Sequence, residues 1–180
     1  MTDCFFMVPY ENDLLTVPYC ALHQDWCGYA PSYICDDNFH LKKIAIHLAI
    51  MTPHYLDLVL TGKKTIESRF SEKKQIPYNR VEDGDLILFK KSGGDIKGIG
   101  WVKQVQYYYN LTPLFIEKLI AKFNDGLCIQ PDFIQQKQKS QFATLIWLKN
   151  VKPIKPLKSP KKYYGTGWDI LYDYHQQTLM

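Results

Sequence analysis

Gly62-Lys63-Lys64-Thr65-Ile66-Glu67-Ser68-Arg69 fixes a glycine, a lysine, a carboxylate and a guanidinium in the pattern G-x-K-x-x-E-x-R. Just upstream, Ile44 to Ile50 is a short, bounded apolar run, which predicts a strand. Thr52-Pro53 then supplies an N-cap and a proline at the first helical position. Tyr55, Leu56, Val59 and Leu60 recur at helical spacing and Gly62 stops the pattern, so a helix is predicted over about 53–61. From Lys64 to Phe70 the chain returns to extended backbone. Alternation puts Ile66 and Ser68 on one face and Thr65, Glu67 and Arg69 on the other. With Lys64 at the strand's mouth, these groups can grip a phosphate or the polar edge of a base. The competing reading is an exposed edge strand whose Glu67–Arg69 pair is worth under ~1 kcal/mol.

Downstream, Val81-Glu82-Asp83-Gly84-Asp85 is a turn into the apolar strand Leu86 to Phe89, and Ser92-Gly93-Gly94-Asp95 is a hairpin turn. Ile96 to Tyr109 reads as one long strand, with Gly98 and Gly100 marking a bend or bulge. Thr112-Pro113 opens a second helix through about Phe123, striped by Leu114, Ile116, Leu119, Ile120 and Phe123. Pro131 opens a short third helix. Ala143 to Leu148 and Gly167 to Leu171 are further strands. The order β-α-β-β-β-α-(α)-β-β is strand-dominated. It favours an α+β fold, a small mixed barrel with two or three flanking helices, over a doubly wound parallel sheet.

With this context, the G-x-K-x-x-E-x-R motif resembles the ASCH domain, the activating-signal-cointegrator homology domain, whose fold is a PUA-like barrel. The Gly84-Asp85 turn, the glycine-bearing strand Ile99-Gly100-Trp101-Val102, and the late strand followed by Lys-Pro-rich sequence and Gly167-Trp168 agree with it. The resemblance spans roughly 44–172. It implies a domain, needing no cofactor, that binds RNA or a modified nucleobase around Lys64, Glu67 and Arg69, with Thr65 on the same face.

The family also implies an alternative. Some small bacterial members are amidohydrolases that deacetylate N4-acetylcytidine, and ribonuclease activity is described too. The amidohydrolase branch carries a lysine at the position of Lys64, a threonine at that of Glu67, and a later glutamate. Here Glu67 replaces the nucleophilic hydroxyl, and Asp125 is the nearest acid to the later position. The alternative is therefore a small hydrolase of an acylated nucleoside or of RNA, with Lys64, Glu67 and Asp125 as its catalytic set.

Charge divides the chain into two modules. Residues 1–40 hold six acidic residues and no Lys or Arg; residues 41–180 hold all 22 bases and the other 12 acids. The basic body suits a polyanion such as RNA, or merely keeps the surface soluble. Lys149, Lys152, Lys155, Lys158, Lys161 and Lys162 follow one another without an intervening acid, among Pro153, Pro156 and Pro160. Read as an extended connector, this ribbon can track a phosphate backbone through Lys152, Lys155 and Lys158, and Tyr163-Tyr164 and Tyr107-Tyr108-Tyr109 can stack on bases.

The head, 1–40, is rich in Cys, Tyr, Pro and Asp, has no sustained periodicity, and is expected to be irregular. Its pattern is Cys20-x2-His23-x3-Cys27-x7-Cys35-x4-His40. Two readings stay open: a structural zinc on Cys20, His23, Cys27 and Cys35, or buried thiols.

Of the 180 residues, 46% are hydrophobic and 22% charged, which excludes wholesale disorder. No apolar run approaches the ~18 residues of a membrane span, so no membrane partner is expected. Met1-Thr2-Asp3-Cys4 lacks a basic n-region, and five cysteines is an odd number. Reduced thiols and a cytoplasmic location are the expectation.

Overall fold

Thr52-Pro53 and Gly62 do bracket a helix, and the apolar run before it is an interior strand of the sheet. The computed structural model describes residues 7–10, 17–20, 25–26, 45–159 and 167–172. In chain order the elements are β1 (Met7–Tyr10), β2 (Val17–Cys20), β3 (Asp25–Trp26), β4 (Ile46–Met51), α1 (Pro53–Leu60), β5 (Ile66–Ser71), β6 (Leu86–Lys91), β7 (Ile96–Tyr109), α2 (Pro113–Leu127), α3 (Pro131–Lys137), β8 (Phe142–Leu157) and β9 (Trp168–Tyr172).

A six-stranded sheet, ordered β5-β8-β7-β6-β4-β9, curls into a half-barrel with three helices, the α+β PUA-like architecture expected. Only β4 and β6 run parallel; every other neighbouring pair in this sheet is antiparallel. Leu86 to Phe89 are wholly buried, as an apolar run covered on both faces must be. Register shifts in the β7–β8 pairing fall at Gly98, between Ile99 and Trp101, and between Val102 and Gln104. The glycines therefore mark bulges that help the long strands curl.

The helices hold two corners of the site. Thr112 Oγ1 accepts the Phe115 N–H at 3.2 Å, capping α2. Ile116, Leu119, Ile120 and Leu127 bury their side chains against β5 and β8, at roughly 1.5–3 kcal/mol each. Helix α2 continues a turn past Phe123, because Leu127 still has a buried place on the same stripe. Thr52 occupies the N-cap position of α1 without a capping bond from its hydroxyl.

Two expectations are corrected. The lysine-rich stretch through Leu157 is not a connector: it is the second half of β8, a 16-residue strand. Its prolines are compatible with this because β5 covers only residues 142–147 of β8, leaving one side of the later half without a strand neighbour among the described residues. Asn150 takes a positive φ of 52° where the strand bends. In the head, β1, β2 and β3 form a separate antiparallel sheet where irregular backbone was expected. Strands of two to four residues are too short to show periodicity. His23, Cys27, Cys35, His40, Lys161, Lys162, Tyr163 and Tyr164 lie outside the described residues, and of Cys20 only its place in β2 is described. No helix among the described residues is long and apolar enough to cross a membrane.

Candidate functional site

A cleft of about 170 Å³ opens where the end of β4, the start of α1, strand β5 and the α2–α3 junction meet. Its walls include Thr52, Tyr55, Lys64, Glu67, Arg69 and Phe133. It is smaller than the ~300–1,000 Å³ of drug-sized ligand pockets, so it suits one small group.

Three charged side chains meet at its floor. Lys64 and Glu67 are only 3% and 4% exposed. Arg69 Nη2 donates to Glu67 Oε1 at 2.9 Å, and Lys64 Nζ lies 3.7 Å from Glu67 Oε2. The carboxylate is thus held between two cations, the condition under which a buried charge is tolerable. Lys64 Nζ also donates to the Leu127 carbonyl at 2.6 Å. That carbonyl belongs to the last turn of α2, where unpaired backbone oxygens favour a cation. Gly126 makes the approach possible: a Cβ there would stand 2.7 Å from Thr65 Oγ1 and 2.8 Å from Ile66. Lys64 Nζ sits 5.3 Å from the Tyr55 ring centroid.

Burial strips water from the Lys64 ammonium and lowers its pKa below 10.5; the Glu67 carboxylate opposes this and Arg69 adds to it. Burial likewise raises the Tyr55 pKa above 10, a backbone hydrogen bond to Gln130 opposing it. The ammonium has three N–H bonds and two protein oxygens near it, which leaves a donor for a ligand. A lysine with a lowered pKa can also shed its proton and act as a base.

Arg69 has a second task. It lies on β5, one edge of the sheet, and reaches across to the other edge. Its Nη2 donates to the Ile50 carbonyl at 3.2 Å, and its guanidinium carbon lies 5.2 Å from the Trp168 ring centroid on β9. Gly167 leaves room for it: a Cβ there would be 2.4 Å from Nη1. Arg69 Nε is buried with no hydrogen-bond partner among the described residues.

Behind Trp168 stands a buried polar chain. The Trp168 indole N–H donates to His47 Nδ1 at 3.3 Å, and His47 Nε2 lies 3.0 Å from Asp85 Oδ2. Because Nδ1 accepts, the ring proton sits on Nε2 and is donated to Asp85. Asp85 also accepts the N–H groups of Ala45 and Glu82, at 2.9 and 2.7 Å.

Of the expected site residues, Lys64, Glu67 and Arg69 come together. Thr65 and Asp125 are exposed and do not line the cleft. Thr65 faces Gly126, because it precedes the strand rather than continuing its alternation. Lys152 and Lys155 are exposed on β8, and Lys158 just beyond it, also off the cleft. Tyr107 is not a stacking surface: its hydroxyl donates to the Val81 carbonyl at 2.5 Å and accepts the Val81 N–H at 2.9 Å. Burial pushes its pKa up to about 12. Tyr108 packs by Phe115, and Tyr109 is 69% exposed. Tyr55, Phe133 and Trp168 were not anticipated as site residues. Only Trp168 left a signal, the Gly167-Trp168 pair, and its partners are remote in sequence. Among the described residues no cluster of ligating side chains could hold a metal ion.

The family model for the ASCH domain matches residues 50–161. No curated protein sequence matches the chain. Among solved structures, the crystal structure of ASCH from Zymomonas mobilis is similar, with 14% identity and a TM-score of 0.57 over 74% of this chain and 92% of that one. A single-residue variant of the same Zymomonas mobilis protein has 14% identity and a TM-score of 0.57 over 76% of this chain and 95% of that one. At such identity the likeness is one of fold.

Proposed function

This chain belongs to the ASCH domain family, and from that premise we propose that the cleft over Lys64, Glu67 and Arg69 binds RNA through an exposed or modified base. The observation that carries this reading is the buried Lys64–Glu67–Arg69 cluster lining a cleft sized for one small group, such as a single base. Lysine and arginine offer donors and Glu67 an acceptor, so the floor can meet a base edge that has both kinds of group. Tyr55 and Phe133 supply aromatic surface on the walls, as single-strand recognition uses. The exposed lysines of β8 add a second, sequence-independent attraction for phosphates.

One observation favours a second reading, hydrolysis of an acylated nucleoside or of RNA. Burial lowers the Lys64 pKa, which suits a general base. Glu67 is held by two cations and Asp125 does not line the cleft, so Lys64 would carry that chemistry.

A titration of single-stranded RNA, beside a turnover screen with N4-acetylcytidine and labelled RNA, tests both. Lys64→Met should weaken binding at least about tenfold. Replacing Lys152, Lys155 and Lys158 by Ala should flatten the salt slope by about 0.7 per lost phosphate contact, alike for all sequences. Unchanged affinity in Lys64→Met overturns the cleft reading. Turnover that Lys64→Met abolishes moves the assignment to the hydrolase.

A further inference from the structure

A second cleft, of about 220 Å³, adjoins the first. Ser68, Arg69 and Phe133 line both, so the two form one groove along the open edge of β5, with Arg69 at the junction. Their chemistry differs. The first cleft contains the Glu67 carboxylate; the second has Arg69 and Lys137, the hydroxyl residues Ser71 and Thr144, and Gln75, with no carboxylate on its wall among the described residues. Lys137 Nζ lies 5.3 Å from the ring centroid of Phe133, so the aromatic shared by both clefts also supports this cation.

Two donors at the junction have no strand or side chain to serve among the described residues. Arg69 Nε is buried without a partner among the described residues. The Leu148 N–H donates to the Thr65 carbonyl, and the β5–β8 register runs without a shift. Alternation therefore turns the N–H and C=O of Ser68 toward the side of β5 that has no neighbouring strand among the described residues.

We propose that the second cleft is a phosphate-and-sugar subsite, so that the ligand is a phosphorylated nucleotide unit rather than a free nucleoside. This rests on the first cleft receiving the base. Two cations and no carboxylate select an anion, and Ser71, Thr144 and Gln75 suit ribose hydroxyls. A base over Lys64 would place its own sugar near Ser68 and the adjoining phosphate past Arg69.

The test is calorimetric titration of wild type and Lys137→Ala with the four ribonucleosides, their 5′-monophosphates, ribose 5-phosphate and short dinucleotides. Native melting of Lys137→Ala is checked first; Gln75→Ala serves as a second variant. At least one monophosphate should bind about tenfold tighter than its nucleoside, and Lys137→Ala should remove most of that gain while leaving the nucleoside unchanged. Ribose 5-phosphate binding that depends on Lys137, with no nucleoside binding, would uphold the second cleft and overturn the base reading of the first. Nucleoside binding that no phosphate improves would uphold the first cleft and overturn the second. Gln75→Ala should weaken nucleoside and nucleotide alike, through the ribose they share; equal loss of the two in Lys137→Ala would also overturn the proposal. A dinucleotide that binds more tightly than its monophosphate would assign the phosphate to an RNA strand; equal affinity would assign it to a mononucleotide.

Discussion

The Arg69 guanidinium lies over the Trp168 ring, 5.2 Å from its centroid, and so joins the two edge strands of the sheet. A desolvated cation on an indole face contributes about 2 kcal/mol, and an exposed one about half that or less. Trp168 in turn is fixed through His47 to Asp85, at the turn before β6. The position of one cleft residue thus depends on a buried polar chain on the far side of the sheet's seam.

His47→Phe tests that dependence. Phenylalanine fills the site but gives Trp168 no acceptor and takes one donor from Asp85, which keeps the N–H groups of Ala45 and Glu82. Leaving buried polar groups unpaired costs about 1–3 kcal/mol, so the urea midpoint should fall accordingly. RNA affinity should fall with it under conditions where the variant is folded. An unmoved midpoint would mean that the chain His47–Trp168 carries no energy.

Gly167→Ala addresses the seat of Arg69. The new methyl would meet Nη1 at a distance no packed atom tolerates. A flexible arginine would swing aside, but this one is tied to Glu67, Ile50 and Trp168. Ligand affinity should drop several-fold, about as much as in Arg69→Lys, which keeps the charge and loses the fork. Equal affinity in wild type and Gly167→Ala would show that Arg69 tolerates displacement.

Removing Glu67 should affect folding more than removing Lys64. Glu67→Ala leaves two cations in a buried site without their shared counter-charge, a loss of about 3–5 kcal/mol. Lys64→Met substitutes apolar volume for a charge and should cost much less. Denaturant unfolding of both variants, and of Lys64→Met combined with Glu67→Leu, ranks them. A double variant less stable than Glu67→Ala would contradict the account.

The pH dependence follows from Lys64. Its folded pKa lies below 10.5, so between the folded value and 10.5 the unfolded chain binds more protons. Stability from this group therefore rises with pH across that window and is lower beneath it. Wild type should gain in melting temperature relative to Lys64→Met as pH climbs through the alkaline range. The raised Tyr107 pKa works the other way above pH 10, but it is common to both proteins and cancels in the difference. A difference that shrinks or stays flat with rising pH would reverse the assigned direction.

Much of the frame was legible because its signals are local. Thr52-Pro53 and Gly62 bracket α1 within a dozen residues, and alternation within β5 was enough to pair Glu67 with Arg69. The cleft was half legible for the same reason. Lys64 owes its depth to Leu127, 63 residues away, and Trp168 meets its histidine across 121 residues. No spacing in a single chain reports such contacts. The lysine stretch misled because proline usually ends a strand, and the missing neighbour that makes Pro153 and Pro156 tolerable is a property of the sheet. Thr65 was placed by extending an alternation one residue too far, to a position where α2 governs the backbone: the Thr65 N–H donates to the Gly126 carbonyl.

The edge of β5, which has no strand neighbour among the described residues, has a consequence beyond the proposed ligand binding. A strand whose outward N–H and C=O groups lack a neighbour is a template on which another molecule's strand can add, the first step of edge-to-edge aggregation. A bulky charged side chain laid across that edge obstructs such growth. Arg69, which reaches from β5 to Ile50 and Trp168, would on that argument act as a gatekeeper besides its proposed place in the ligand cleft. Variants that lose it should be stored dilute, because the groove they empty is also an invitation to polymerise.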